Sequence, residues 1–171
     1  MRLKVLPMAD HLEQRSAQVY AGLKAAGNRN GLIIYDGPSL FNNESIIAIA
    51  TGFERSNNRK TGNLLQVWIL VKAESPIDAI EAGTSVAVCG DCKHLRFSSC
   101  YVAVHQAPLA VWRSWKAGRY RMAKPAHLAL FTDRQVRLGA YGDPAAVPVS
   151  VWRSICGVTA GHTAYTHAWR N

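Results

Sequence analysis

The chain has no apolar run near the roughly 18 residues that a membrane-crossing helix needs, so no such helix is expected among its 171 residues. It also lacks a glycine-rich phosphate loop, a dinucleotide fingerprint and any Ser–His–Asp pattern. Those absences remove the sequence signatures of nucleotide hydrolysis, hydride transfer and triad hydrolysis. The amino terminus, Met1-Arg-Leu-Lys-Val-Leu-Pro-Met-Ala-Asp10, carries two positive charges but too short an apolar stretch for a secretory signal. A cytoplasmic protein is therefore expected. Acidic residues are scarce, with 11 Asp and Glu against 20 Lys and Arg, a net charge of +9. Such a surplus favours contact with a polyanion, most often nucleic acid, although an ordinary basic protein has the same balance.

Only four cysteines are present, and three of them fall in one short loop. Cys89 and Cys92 have C-x2-C spacing and Cys100 follows, with His94 inside the stretch and His105 just beyond it. In a reducing compartment, clustered thiols act as ligands or reactive groups more often than as disulfides. The C-x2-C spacing lets two thiolates converge on one metal, and Cys100, Cys156, His94 or His105 would complete the shell. A four-ligand zinc site would be structural. Three cysteines on a 4Fe–4S cluster would leave one iron open to a small molecule. The alternative is three buried or free thiols. Cys156, among apolar residues late in a predicted helix, reads more readily as a small buried hydrophobe.

Nearly half of the residues are hydrophobic, and the length suits one domain with a substantial core. Helical spacing is present over 11–26, and strand-like runs follow over 31–35, 45–51 and 64–71, separated by turn-forming residues. Residues 1–74 thus read as a helix plus an antiparallel three-stranded meander. In the second half, 75–171, Ser75 and Pro76 open a helix that Gly83 can end. The run 85–88 leads into the cysteine loop, and a further helix runs from about Pro108 towards Gly118. The motif Pro-x-x-Val-Trp-Arg-Ser occurs at Pro108 and again at Pro148, each time after a candidate strand and loop: Val86–Cys89 in one case, Val136–Tyr141 in the other. Chance similarity between two helix starts is the alternative to a repeated unit. Residues 125–134 read as either helix or strand. His162–Trp169 alternates as a last strand would. The expected fold is α+β: the meander, followed by βα units forming an incomplete, partly parallel, barrel-like sheet within a single domain.

Two further groups carry chemistry. Arg113, Lys116, Arg119, Arg121 and Lys124 alternate with Trp115 and Tyr120, and Arg55, Arg59 and Lys60 lie in a predicted turn. Cations neutralise phosphates and exposed rings stack on bases; the alternative has the rings in the core and the charges in water. Gly142-Asp143 follows a strand and precedes a helix, where α/β folds place ligands. Asp143 there can hold an amine or hydroxyl, or simply cap the helix. No catalytic residue can be assigned.

The segments Cys89-Gly-Asp-Cys92-Lys-His94, Ser99-Cys-Tyr-Val102, Gln106-Ala-Pro-Leu-Ala-Val-Trp-Arg113, Arg137-Leu-Gly-Ala-Tyr-Gly-Asp-Pro-Ala-Ala-Val-Pro148 and Gly161-His-Thr-Ala-Tyr-Thr-His-Ala-Trp-Arg170 together resemble a family of phage- and plasmid-encoded cysteine-cluster proteins. That family looks distantly like radical-SAM barrels. The resemblance covers about Leu32 to the carboxyl end. It implies a 4Fe–4S cluster on Cys89, Cys92 and Cys100, with Gly142-Asp143 at the ligand-facing end of a strand. The spacing here is C-x2-C-x7-C rather than the C-x3-C-x2-C usual in radical-SAM enzymes, and the chain stops before a barrel would close. The first expectation is therefore a mobile-element, metal-binding protein that works on nucleic acid or a nucleoprotein complex. A cluster-dependent enzyme is the second, and a metal-stabilised inhibitor of a host defence protein the third.

Overall fold

The computed structural model describes residues 8–28, 30–54, 64–96 and 99–169. In chain order these form α1 (Met8–Ala25), β1 (Gly31–Pro38), β2 (Ser45–Thr51), β3 (Leu65–Val71), α2 (Pro76–Glu81), α3 (Val86–Cys89), α4 (Lys93–Arg96), α5 (Ala107–Lys116) and β4 (Arg121–Met122). A 3-10 helix (Pro125–Leu130), β5 (Gln135–Tyr141), a 3-10 turn (Pro144–Ala146), α6 (Val149–Cys156) and β6 (Gly161–Ala164) complete the fold. Among the described residues no helix is long and apolar enough to cross a membrane.

The six strands make one mixed sheet in the order β4-β1-β2-β3-β5-β6. The expected meander is present: β1 pairs antiparallel with β2, and β2 with β3. β5 then adds parallel to β3, and β6 parallel to β5. The sheet does not close, because β4 and β6 stand at opposite edges. β3 is buried at every residue and β2 over its five central residues. Since successive strand residues point to opposite faces, helices must cover both sides of these strands. Their composition, Leu-Gln-Val-Trp-Ile-Leu-Val in β3, suits that position. α2, α3 and α5 pack against β3, and α1 packs against the 3-10 helix Pro125–Leu130.

The repeated motif maps onto two helices in unlike settings. Pro148 caps α6, which joins β5 to β6 as the crossover of a parallel β-α-β unit. Pro108 lies in the first turn of α5. However, the strand expected over Val86–Cys89 is instead the single helical turn α3, with the N–H groups of Val88 and Cys89 donating to Ser85 O at 3.0 and 2.9 Å. The reason is topological. Both edges of β3 are already occupied, by β2 and β5, so this apolar run cannot pair with β3. Four apolar residues in a row cannot separate a strand from a buried helical turn by pattern alone. The undecided stretch after Pro125 is helical, of the 3-10 type. The last strand is shorter than the alternation implied, ending at Ala164.

Where β5 ends, Gly142 turns at φ +81°, and a Cβ built on it would lie 2.8 Å from Ile69 Cβ and 2.9 Å from Ile69 O. Both the left-handed backbone and the close approach to β3 demand glycine. Gly142→Ala is expected to lower stability by about 1–3 kcal/mol through backbone strain, with the contact to Ile69 adding to it. Chemical denaturation of the variant checks this, and an unchanged midpoint would refute it.

Candidate functional site

The junction after β5 assembles the site. Beyond Gly142, the backbone N–H of Asp143 donates to Val88 O at 2.6 Å, and Ser39 Oγ donates to the neighbouring Ala87 O at 2.6 Å. These two bonds fix α3 between the β1–β2 turn and the end of β5. Cys89, the last residue of α3, is thereby held against the sheet. Gly90 then reverses the chain at φ +57° and delivers Cys92 and α4.

Cys89, Cys92 and Cys100 line the same cleft, of about 730 Å³, together with His94 and His167. Burial is the main cause that pushes the Cys89 thiol up to about 12, and the nearby Cys92, Cys100 and Asp143 push it further the same way. The three cysteines are thus electrostatic neighbours around one space. Among the described residues, however, no three His, Cys, Asp or Glu groups come together as a site for a single ion. His94 Nδ1 lies 3.0 Å from Ser99 Oγ, and its ring meets that of His167 edge-on with centroids 5.4 Å apart. His105 is exposed and is not among the residues of the cleft. Cys156 lies away from the cleft, at the end of α6 and packed against the core.

Asp143 is 4% exposed, and its carboxylate is fully engaged. Oδ1 accepts from the N–H of Ala145 at 2.9 Å, which is the cap anticipated for this residue. Oδ2 accepts from Thr166 Oγ1 at 3.0 Å and from the N–H of His167 at 2.7 Å. Asp143 therefore ties the segment beyond β6 across the end of β5, and Gly142 and Asp143 shape the cleft wall.

Two residues of the cleft were not singled out in the sequence. Arg137, Gly139 and Tyr141 of β5 all line the cleft, across an irregularity in the pairing of β5 with β3. Tyr141 is 4% exposed and its hydroxyl has no hydrogen-bond partner among the described residues. Burial, followed by the proximity of Cys89 and Cys100, raises its pKa well above the ordinary value. The Nε of Arg137 is likewise buried without a partner, while its Nη2 donates to the hydroxyl of Tyr101. The available signal was a lone arginine inside the otherwise apolar alternation Val136-Arg-Leu-Gly-Ala-Tyr141.

The basic–aromatic stretch is arranged differently. Trp115 and Tyr120 are half-buried and pack against the core, so they offer no open stacking platform. Lys116 Nζ sits 5.1 and 5.0 Å from the ring centroids of Trp112 and Trp115, and Arg121 Nη2 donates to Ala26 O at 3.1 Å. Arg113, Arg119 and Lys124 are exposed. Arg55, Arg59 and Lys60 lie outside the described residues.

No protein-family model matches the chain, and neither a curated protein nor a solved structure matches it.

Three outcomes are expected. Alkylation of metal-free protein at pH 8, read by mass spectrometry of peptides, should label exposed Cys100 first and Cys89 last, because Cys89 stays protonated until the pH nears 12. With a raised folded pKa, Cys89 favours the folded state below about pH 9, and that contribution is lost between 9 and about 12. Asp143→Ala should cost roughly 2–4 kcal/mol, since hydrogen bonds to a charged group count for about 1.5–3 each and are not additive. It should also expose the carboxyl-terminal segment to proteolysis before the sheet. Cleavage at the wild-type rate would contradict the tethering role.

Proposed function

We propose that this is an iron–sulfur protein in which Cys89, Cys92 and Cys100 each bind one iron of a 4Fe–4S cluster, leaving the fourth iron facing a small-molecule cleft. The observation that carries this reading is that three thiols, Cys89, Cys92 and Cys100, line one cleft of about 730 Å³. Three cysteines can hold a 4Fe–4S cluster and leave one iron open to a small molecule, whereas a structural zinc site is closed by four ligands. The cleft is also larger than a closed structural zinc site requires. When bound, such a cluster supplies one-electron chemistry at an iron that a small molecule can reach. The chain's own part is to hold the thiolates on α3 and the following loop, and to position a ligand with the end of β5. The resemblance to radical-SAM barrels raised the same expectation, but the sheet is open and the cysteine run follows the helical turn α3 rather than a strand.

Nucleic-acid binding is the second reading. The exposed cations Arg113, Arg119 and Lys124 and the net charge of +9 support it. With Trp115 and Tyr120 turned inward, contact would be to phosphates rather than through stacked bases. No observation favours an inhibitor of a host protein.

Anaerobic reconstitution with iron and sulfide should give a brown protein holding about four of each per chain. Cys92→Ser should lose that load and Cys156→Ser should keep it. A colourless protein with about one equivalent of zinc would overturn the cluster. For the second reading, affinity for random-sequence duplex should fall steeply as salt rises, and triple replacement of Arg113, Arg119 and Lys124 by Gln should flatten that slope. A salt dependence untouched by the replacement would remove it.

A further inference from the structure

The cleft has a polar arrangement that the thiols do not explain. Arg137 reaches into it from β5, yet the partner recorded for its guanidinium is a neutral phenol, Tyr101, and among the described residues Arg137 forms no ion pair. The Tyr101 ring lies against the guanidinium, 5.7 Å from ring centroid to Cζ, while itself 77% exposed. It is a cover with little holding it down. Among the described residues the Arg137 Nε is buried without a partner. Farther along β5, the Tyr141 hydroxyl is buried without one too. Leu64, Ile80, Leu95, Val102 and Val104 supply apolar lining. Unsatisfied buried donors are rare in folded proteins, and two of them in the wall of one cleft imply a ligand that satisfies them.

The charge balance of the cleft narrows the ligand. Among the described residues Asp143 is its one acidic residue, and both of its oxygens already accept hydrogen bonds from Ala145, Thr166 and His167. An ammonium group would therefore find no counter-charge. A phosphate needs several converging donors, commonly free backbone N–H groups. Here the N–H groups of Asp143, Ala145 and His167 are already donated within the chain. One guanidinium suits a single carboxylate, which it can receive through two parallel hydrogen bonds.

We propose that the cleft binds a small monocarboxylate with an apolar body and a second, uncharged oxygen. Arg137 receives the carboxylate after Tyr101 swings aside. The body lies along the apolar wall, and the Tyr141 hydroxyl donates to the distal oxygen. Arg137 pairs with Gln66 and Tyr141 with Trp68, so the anchors lie about two strand residues, ~7 Å, apart along the sheet, and the distal oxygen sits several carbons from the carboxylate, on the side of the cysteines. The site shares the cleft with the proposed cluster but does not depend on it.

The test is calorimetric titration of the full chain, before and after reconstitution, with heptanoate, heptanamide, heptylamine, heptyl phosphate and the heptanoate analogue bearing a ketone on its penultimate carbon. Heptanoate is expected to bind and the amide and amine to bind far more weakly. Arg137→Gln should weaken heptanoate by about thirtyfold or more, the effect of leaving a buried charge without its partner. The ketone should improve affinity by about fivefold, and Tyr141→Phe should abolish that gain without changing heptanoate itself. Arg137→Lys, which keeps the charge, should retain part of the binding and guards against a folding defect in the Gln variant. Equal binding of heptanoate and heptanamide, tighter binding of heptyl phosphate, or no binding at all would overturn the proposal. Iron loading is measured on the same samples. Cys92→Ser that loses iron but still binds heptanoate separates this site from the cluster, and loss of carboxylate binding with intact iron refutes this site alone.

Discussion

The clamp between the end of β5 and the end of α3 is the constraint on which the rest of the site depends. Gly142 must pass within contact distance of β3, and only its missing side chain allows this. That passage brings the Asp143 N–H onto Val88 O, and so fixes the helical turn that presents Cys89. The Asp143 carboxylate then reaches the other way, to Thr166 and His167, and closes the far wall of the cleft. One glycine and one aspartate thereby join β3, α3 and the segment at Thr166 and His167 to the end of β5. A buried carboxylate is tolerable here because three donors replace its lost water.

Legibility in the sequence followed the kind of physics involved. The meander was readable because β1, β2 and β3 are short, β-branched segments with turn residues between them. The helix opening at Ser75 was readable because capping is local chemistry, and the Ser75 side chain does accept from the Asp78 N–H. Val86–Cys89 was not, since its fate depended on whether β3 had a free edge, a question about residues fifty positions further on. The cysteine cluster could be seen in the spacing, but not that Cys89 would be buried while Cys100 stays exposed. Arg137 and Tyr141 escaped notice for a related reason. In isolation a lone arginine in a strand reads as an edge residue, and only β6 on its far side makes it part of a wall.

The same logic explains why the aromatic residues of the basic stretch turned inward. α5 must cover β3, and Trp112 does so with its indole N–H on Val71 O at 3.1 Å. Trp115, three residues later, falls on the same helical face. Lys116 then lies over both rings instead of projecting freely. A sequence of alternating charge and aromatic character is thus compatible with a packed helix, and the period of the helix decides between packing and display.

The excess of positive charge bears on the cleft as well as on the outer surface. In a chain with 11 acidic residues, placing the cleft's one carboxylate in a structural clamp leaves its interior with an unopposed guanidinium. The clamp and the anion preference are therefore one arrangement. Releasing Asp143 from Thr166 and His167 would both open the wall and supply Arg137 with an internal competitor.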